Sequence, residues 1–454
     1  MSKASIKIEK LFVLIIFTFP AFAACEKLVE INEPTNELSV EKVYSDSSAA
    51  ASALNGIYST AASTSVSIVT LIPEISSLTA DDFETNSVSQ EGYYNNNIQS
   101  NDPAIFYLWS TFYKIIYQSN LIIESSKNSD KISETLKNQL TAEALFFRAF
   151  SHFHLKLLFG DIPLILTSDV TESKTQGRST SSEIEKSIIE DLESGLTLIG
   201  NRNIENNCRV NKICIMALLS RIYLVSKQWD LSIYYSTKVL ESKSYATLPS
   251  LNTTFKVNSS ETIFQLWYRD GFNPLAVNLI PGSIEPDFLL TNDLVQLFTE
   301  NDLRKNAIDT FYLNGSSFIF SNKYQNTAST IGDDAEYFVI FRSAEMYLNR
   351  AESKLQLKNI HEAIDDINKI RERAGIDLIS NGISSDSCAK VISKERRLEL
   401  FGEWIHRWSD LKRSNHIDLV LKSKKSNWQA TDSLYPIPAQ EILKNRSLSQ
   451  NAGY

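Results

Sequence analysis

Four kinds of side-chain grouping in this sequence could do chemistry. Acidic pairs recur, at Asp81/Asp82, Asp333/Asp334 and Asp365/Asp366. Hydrolysis of a glycosidic bond needs two carboxyl groups facing each other across a cleft at about 5–9 Å. Neighbouring acids on a chain point to different sides, so these pairs alone do not make that arrangement. Glu403-Trp404-Ile405-His406 has the spacing of a di-iron ligand pair on one helix face. Such a centre needs a second Glu-x-x-His and two more carboxylates. None of His152, His154, His361 and His416 has a Glu three residues before it, so a structural role is expected here. A third grouping, Arg396, Arg397, Glu399, Glu403, Arg407 and Asp410, alternates acid and base among Trp404, Trp408 and Leu411. Acids and bases at i+3/i+4 reach predict a buried ion-pair network in preference to a catalytic cluster.

The fourth grouping is aromatic. Tyr93-Tyr94-Asn95-Asn96 and Trp267-Tyr268-Arg269-Asp270 set rings beside amides and acids. A flat ring covers the apolar C–H face of a pyranose, while amide and carboxylate groups satisfy its hydroxyls. Asp81, Tyr93, Tyr94, Asn95, Asn96, Trp267 and Tyr268 are therefore the candidate ligand contacts. The competing reading packs these rings into the core. No Gly-x-Ser-x-Gly, P-loop or dinucleotide fingerprint is present.

The elements that must carry these groups are mostly helical. Ala50, Leu54 and Ile57 share one face of a helix from about Ser47 to Thr60. Residues 62–104, rich in Ser and Asn, predict an ordered surface loop region around a short helix. Trp109, Phe112, Tyr113, Ile116 and Asn120 follow a helical period, and a second helix from about Ser133 to Phe159 stops at Gly160-Asp161-Ile162-Pro163. A third begins at Ser182, with Glu185 completing a capping box. A single helix is expected from about Ser385 to Lys412.

Two segments, from Cys214 and from Phe341, each read as helix, short polar turn, helix. A small residue in each first helix is answered twelve positions later, Ser220 by Ser232 and Ala351 by Ala363. That offset matches the tetratricopeptide unit. Residues 245–340 between the two have a different texture, with many aromatics, Asn, Gly and Pro, and helical signal only near Asp293 to Thr299. Long irregular stretches on a rigid scaffold usually carry function.

Composition agrees. The chain has 454 residues, 43% hydrophobic and 22% charged, which is ordinary for a globular protein. Its 14 Gly and 11 Pro fall well below the usual combined share of about 12%, which disfavours turn-rich β folds. A net charge of −9 argues against a general nucleic-acid binder. Lys3, Lys7 and Lys10 precede an apolar run from Leu11 to Phe19, ended by Pro20, which reads as an export signal. The run is too short to cross a bilayer core of about 30 Å as a helix. Ala21-Phe22-Ala23 fits cleavage of an ordinary secreted protein. Phe22-Ala23-Ala24-Cys25 resembles a lipobox, in which cleavage before Cys25 frees a thiol for lipid attachment, with Phe22 in place of the usual Leu. Loss of residues 1–24 removes three Lys and one Glu and takes the charge from −9 to −11. Cys208 and Cys214, six apart, could form a disulfide; buried free thiols are the expectation for Cys208, Cys214 and Cys388.

Several stretches together resemble the SusD/RagB family of outer-membrane nutrient-binding lipoproteins. The start is Cys25 followed by the run to Tyr58. Residues 142–165, AEALFFRAFSHFHLKLLFGDIPLI, are similar to a family helix that ends in a G-D-x-P turn. Residues 341–352, FRSAEMYLNRAE, and 394–413, KERRLELFGEWIHRWSDLKR, resemble its two late helices. Residues 434–454, LYPIPAQEILKNRSLSQNAGY, resemble its terminal signature. Ile405 stands where a Gly is common, and Ala452 where a Pro is usual. The resemblance implies an all-α fold, a tetratricopeptide-like helix-pair scaffold with long irregular insertions forming the ligand face. It implies a signal peptide at 1–24, lipidation at Cys25, an N-terminal part at 25–244 and a C-terminal part at 245–454 that form one compact unit. It also implies a non-enzymatic subunit without cofactor or metal. Such a subunit binds glycan oligomers, or peptides or another nutrient, and pairs as a lid with a SusC-like TonB-dependent transporter.

Overall fold

A computed structural model describes residues 40–63, 67–200, 207–242, 245 and 247–454. The export signal at 1–24 and Cys25 lie outside the described residues.

The helices start where the sequence offers caps. In α1 (Ser47–Ala61), Asp46 accepts from the Ala49 amide. Ser67 caps α2 (Ile68–Thr79). Asp102 accepts from Ala104 and Ile105 at the head of α3 (Pro103–Asn128), with Pro103 in the first turn, where its missing N–H costs nothing. α4 (Glu134–Phe159) is buried on nearly every side from Gln139 onward, so it forms the centre of the N-terminal half. α1, α3 and α5 (Ser181–Leu198) pack around it. α4 ends at Gly160, whose φ of 76° suits a residue without a Cβ; a Cβ there would lie 2.9 Å from Leu434 Cδ1.

Two helical hairpins follow, α6 (Lys212–Val225) with α7 (Trp229–Leu240), and α8 (Ser343–Gln356) with α9 (Ile360–Arg373). Their turns match: Lys227 and Lys358 both take positive φ, 60° and 67°. The small residues do what the twelve-residue offset predicts. Ser232 Oγ donates to the Ser220 carbonyl at 3.2 Å, and Ala351 and Ala363 are fully buried. Although about a hundred residues separate the hairpins in sequence, α8 packs directly on α7, so the four helices stack in order. Asn349 Nδ2 on α8 donates to Ser220 Oγ on α6 at 3.2 Å, tying the two hairpins together.

The insertion closes at its base. β2 (Thr262–Leu266) pairs antiparallel with β6 (Phe338–Arg342), and β6 runs straight into α8. Between them lie β3 (Leu289–Leu290), which pairs with β1 (Phe83–Glu84), and a hairpin of β4 (Ile308–Leu313) and β5 (Ser316–Ser321). The C-terminal part continues with α10 (Ser385–Leu400), α11 (His406–Arg413) and α12 (Ile417–Lys424), and a short helix at Ala439–Lys444 lies close to the end of the chain.

Three expectations are corrected. Residues 62–104 are not mainly surface loop: α2 is buried along almost its whole length. Its Pro73 and scattered Ser and Thr hide the helical signal, and packing overrides local propensity. The helix expected from Ser385 to Lys412 is two helices. Phe401 to Ile405 turn the chain, with Gly402 at φ 65° and Trp404 at φ 47°. The capping box sits two residues earlier than read, formed by Thr180 and Glu183. Cys208, Cys214 and Cys388 are free thiols, as expected.

Candidate functional site

The acidic and basic residues of the C-terminal helices form charge-balanced clusters. Arg342 donates to Glu403 Oε2 at 2.7 Å, to Glu399 Oε1 at 2.6 Å and to Glu261 Oε1 at 2.8 Å. Arg304 joins Asp302 and Glu395, each at 2.8 Å. Lys323, Arg371 and Arg373 complete the set through Glu403, Glu395, Glu261 and Glu399. Five acids thus face five bases and tie the insertion to α9 and α10. Burial alone would raise the Glu399 carboxyl, and the Arg373, Arg342 and Arg304 charges more than offset it, holding it well below the usual carboxylate range. Glu403 is consumed here, and no group of three His, Cys, Asp or Glu among the described residues could hold a metal ion.

His154 is equally structural. Trp404 Nε1 donates to its Nε2, which leaves Nδ1 to donate to the Phe150 carbonyl at 2.7 Å. Burial pushes the His154 pKa down to about 3, so the ring is neutral at any ordinary pH.

A second cluster takes up Asp81. Its carboxylate receives Arg407 Nε at 2.6 Å, Arg397 Nη2 at 3.0 Å and Lys424 Nζ at 2.8 Å, and it is 3% exposed. Burial would raise this acid; the Arg407 hydrogen bond and the neighbouring cations hold it well below its ordinary value. Asp81 therefore joins α10, α11 and α12, and its buried carboxylate is taken up by three cations.

The Tyr93–Asn96 run is largely internal too. Tyr93 is buried and its hydroxyl donates to Asp102 at 2.7 Å, bracing the cap of α3. Asn96 is buried, has φ 55°, and its amide donates to the Thr79 carbonyl at 3.0 Å, closing the end of α2. Tyr94 is half-buried, its carbonyl accepting from Lys425 Nζ at 2.7 Å while its ring lies 4.9 Å from that ammonium. Asn95 is half-buried in the same turn. The turn edges a polar cleft of about 740 Å³ that includes Asn97, Gln99, Asn427 and Asp432.

Trp267 and Tyr268 part company. β2 is buried throughout, and at its end successive side chains point to opposite faces. Trp267 comes out 56% exposed, whereas Tyr268 is 3% exposed and burial raises its phenol. Trp267 borders a cleft of about 530 Å³. Asn55, Tyr58 and Ser59 reach it from α1, Arg209 from the loop before α6, and Arg269 from the end of β2.

Tyr58 forms the deep end. Its hydroxyl donates to Glu143 and accepts the Val210 amide at 2.9 Å, and its ring meets Phe147 edge-on at 4.7 Å. The Arg209 guanidinium lies 4.3 Å above that ring and donates to Asn55 Oδ1 at 2.6 Å. An exposed indole, amide, hydroxyl and guanidinium groups thus converge on one concavity, with no carboxylate in its wall among the described residues. This arrangement can stack a ring and hydrogen-bond hydroxyls; it lacks the paired acids of glycoside hydrolysis. Asn55, Ser59 and Arg209 are far from Trp267 in sequence, and only the helical phase of α1 hinted that the first two face outward.

A family model described as starch-binding and associating with the outer membrane, SusD-like, matches residues 32–224, and one described as the SusD family matches residues 288–454. A SusD-like protein of Formosa agariphila is 23% identical over an alignment covering 99% of this chain and 100% of that protein. The starch-binding protein SusD of Bacteroides thetaiotaomicron is 32% identical over 25% of this chain and 21% of its own. Among solved structures, a SusD superfamily protein of Bacteroides vulgatus superposes with a TM-score of 0.78 at 19% identity, over 90% of this chain and 100% of the other. A laminarin-binding SusD-like protein gives 0.76 at 20% identity, over 90% and 99%.

Proposed function

Given that the chain belongs to the SusD/RagB family, we propose that it is a non-catalytic outer-membrane lipoprotein that binds glycan oligomers and delivers them to a SusC-like TonB-dependent transporter as its lid subunit. The single observation that carries the binding reading is the exposed Trp267 at a cleft with Asn55, Ser59, Arg209 and Arg269. The family model's description as starch-binding and outer-membrane-associated, and the laminarin-binding neighbour, support a glycan cargo. Stacking on Trp267, worth about 0.5–1.5 kcal/mol, added to a few hydrogen bonds suits micromolar-to-millimolar affinity and hence capture followed by release. Anchoring through a lipid on Cys25 follows from the export signal and the lipobox-like run before it. Among the described residues no helix is long and apolar enough to cross a membrane.

Affinity electrophoresis against a panel of polysaccharides tests the cargo. Retention by at least one glycan is expected, with Trp267→Ala weakening it by about 2- to 13-fold, the loss of one stacking contact. Absence of retention by every glycan would turn the reading to the same architecture carrying peptides or another nutrient. Release of new reducing ends would make the protein a glycosidase. Radiolabelled palmitate should enter the wild type and not Cys25→Ala; equal labelling of both would refute the anchor.

A further inference from the structure

The cleft beside Trp267 has a charge character at odds with the chain as a whole. The sequence holds 54 acidic and 45 basic residues. Among the described residues the charged side chains lining this cleft are nevertheless Arg209 and Arg269, with no Asp or Glu. The two arginines differ in how far they are engaged. Arg209 is braced from behind: Glu143, fully buried, lies 3.1 Å from its Nη2, Asn55 takes one N–H, and Tyr58 supports its plane. Those contacts leave part of its five-donor fork unused. Arg269 is exposed and has no hydrogen-bond or ion-pair partner among the described residues. In the C-terminal half Arg342, Arg397, Arg407 and Arg413 each meet at least one carboxylate. Arg269 departs from that pattern, and it does so two positions from an exposed Trp267 and beside the apolar Leu266 and Ala62. A guanidinium fork of this kind matches a planar carboxylate or a sulfate oxygen pair, and partial exclusion of water strengthens the contact.

Resting on the glycan reading above, we infer that this cleft selects saccharides bearing an acidic group, a uronate carboxylate or a sulfate ester. Trp267 covers the C–H face of the sugar ring, Arg269 takes the acidic group, and Arg209, its charge offset by Glu143, offers its unused N–H groups from the Tyr58 side.

The test is isothermal titration of the full-length protein with three hexamers: neutral laminarihexaose, an oligogalacturonate and a sulfated carrageenan oligosaccharide. One charge-assisted bond predicts that an acidic hexamer binds about tenfold tighter than the neutral one. The advantage should shrink between about 50 mM and about 500 mM NaCl as screening tightens. Arg269→Gln, a surface change, should bring the acidic hexamer to within about twofold of the neutral one at unchanged melting temperature, since surface substitutions are usually small in effect. Whichever acidic hexamer wins identifies carboxylate or sulfate as the group. Equal binding of neutral and acidic hexamers, or acidic binding that Arg269→Gln leaves intact, overturns the charge selectivity while the glycan reading stands. Failure of all three hexamers and of the polysaccharide panel overturns both.

Discussion

Replacing Asp81 by Asn separates a structural acid from a ligand contact. The amide keeps the shape and removes the charge. Arg397, Arg407 and Lys424 would then be left with Asp82 and Asp293 as ion-pair partners, and with Asp410 acting on Arg407. Removing one partner of a buried pair costs about 3–5 kcal/mol, because the remaining charges are left buried without compensation. The lower end fits here, since the Lys424 side chain is 28% exposed and can recover water. A chain of this length has an unfolding entropy of about 0.9 kcal/mol/K, so a loss of ~3 kcal/mol lowers Tm by about 3 °C. The pH dependence has a definite sign. The folded carboxyl lies below its unfolded value, so its stabilisation is complete above the unfolded pKa of about 3.9 and is lost as pH falls through the folded one. The Tm gap between wild type and Asp81→Asn should therefore stay constant from neutral pH down to about pH 5 and close below it. Calorimetric melting across that range, paired with glycan titration, reads both properties. Glycan affinity is expected to stay within about twofold, since the buried Asp81 carboxylate is taken up by three cations. An unchanged Tm together with weakened glycan binding would refute the reasoning and return Asp81 to the ligand.

Gly271→Ala should lower Tm sharply or abolish soluble expression, because φ is +65° and a Cβ would lie 1.8 Å from the Thr330 carbonyl oxygen. Gly282→Ala, with open space around it, is the control, and equal melting of the two variants would contradict the strained turn. Lys425 is 6% exposed, donates to the Leu78 and Tyr94 carbonyls, and is pushed down by burial to about 7. The folded form thus sheds a proton near pH 7 that the unfolded chain keeps until about pH 10.4, so this group makes stability rise with pH across that window. In Lys425→Met the rise should be missing, at most ~1.4 kcal/mol per pH unit of difference. Parallel Tm-against-pH curves for the two proteins would sink that assignment.

Much of the scaffold was legible because helical order is local. The apolar face of α1, the aromatic period of α3 and the Gly160 stop of α4 are written within a few turns of chain, and so is the small-residue offset of the two hairpins. The ion-pair network could be anticipated for a similar reason, since i+3/i+4 alternation of acids and bases on α10 and α11 is a property of the segment. Its partners could not. Glu261, Arg304 and Arg342 come from an insertion whose path depends on the β2–β6 pairing. α2 was missed because Pro73 and its Ser and Thr residues look like loop until burial on all sides outweighs them.

The candidate contacts show the division most clearly. Residue type marked Asp81, Tyr93, Asn96, Trp267 and Tyr268 alike as suited to sugars. Folding then turned Tyr268 inward and Trp267 outward from adjacent positions, gave Asp81 three cations, and spent Tyr93 and Asn96 on helix ends. What the sequence by itself determined is the chemistry on offer, the helical framework and its family. Which groups face solvent together depended on contacts between residues tens to hundreds of positions apart, as where Asn55, Arg209 and Trp267 meet at one cleft. Burial is a sum over all packed neighbours, and no short window of sequence contains that sum.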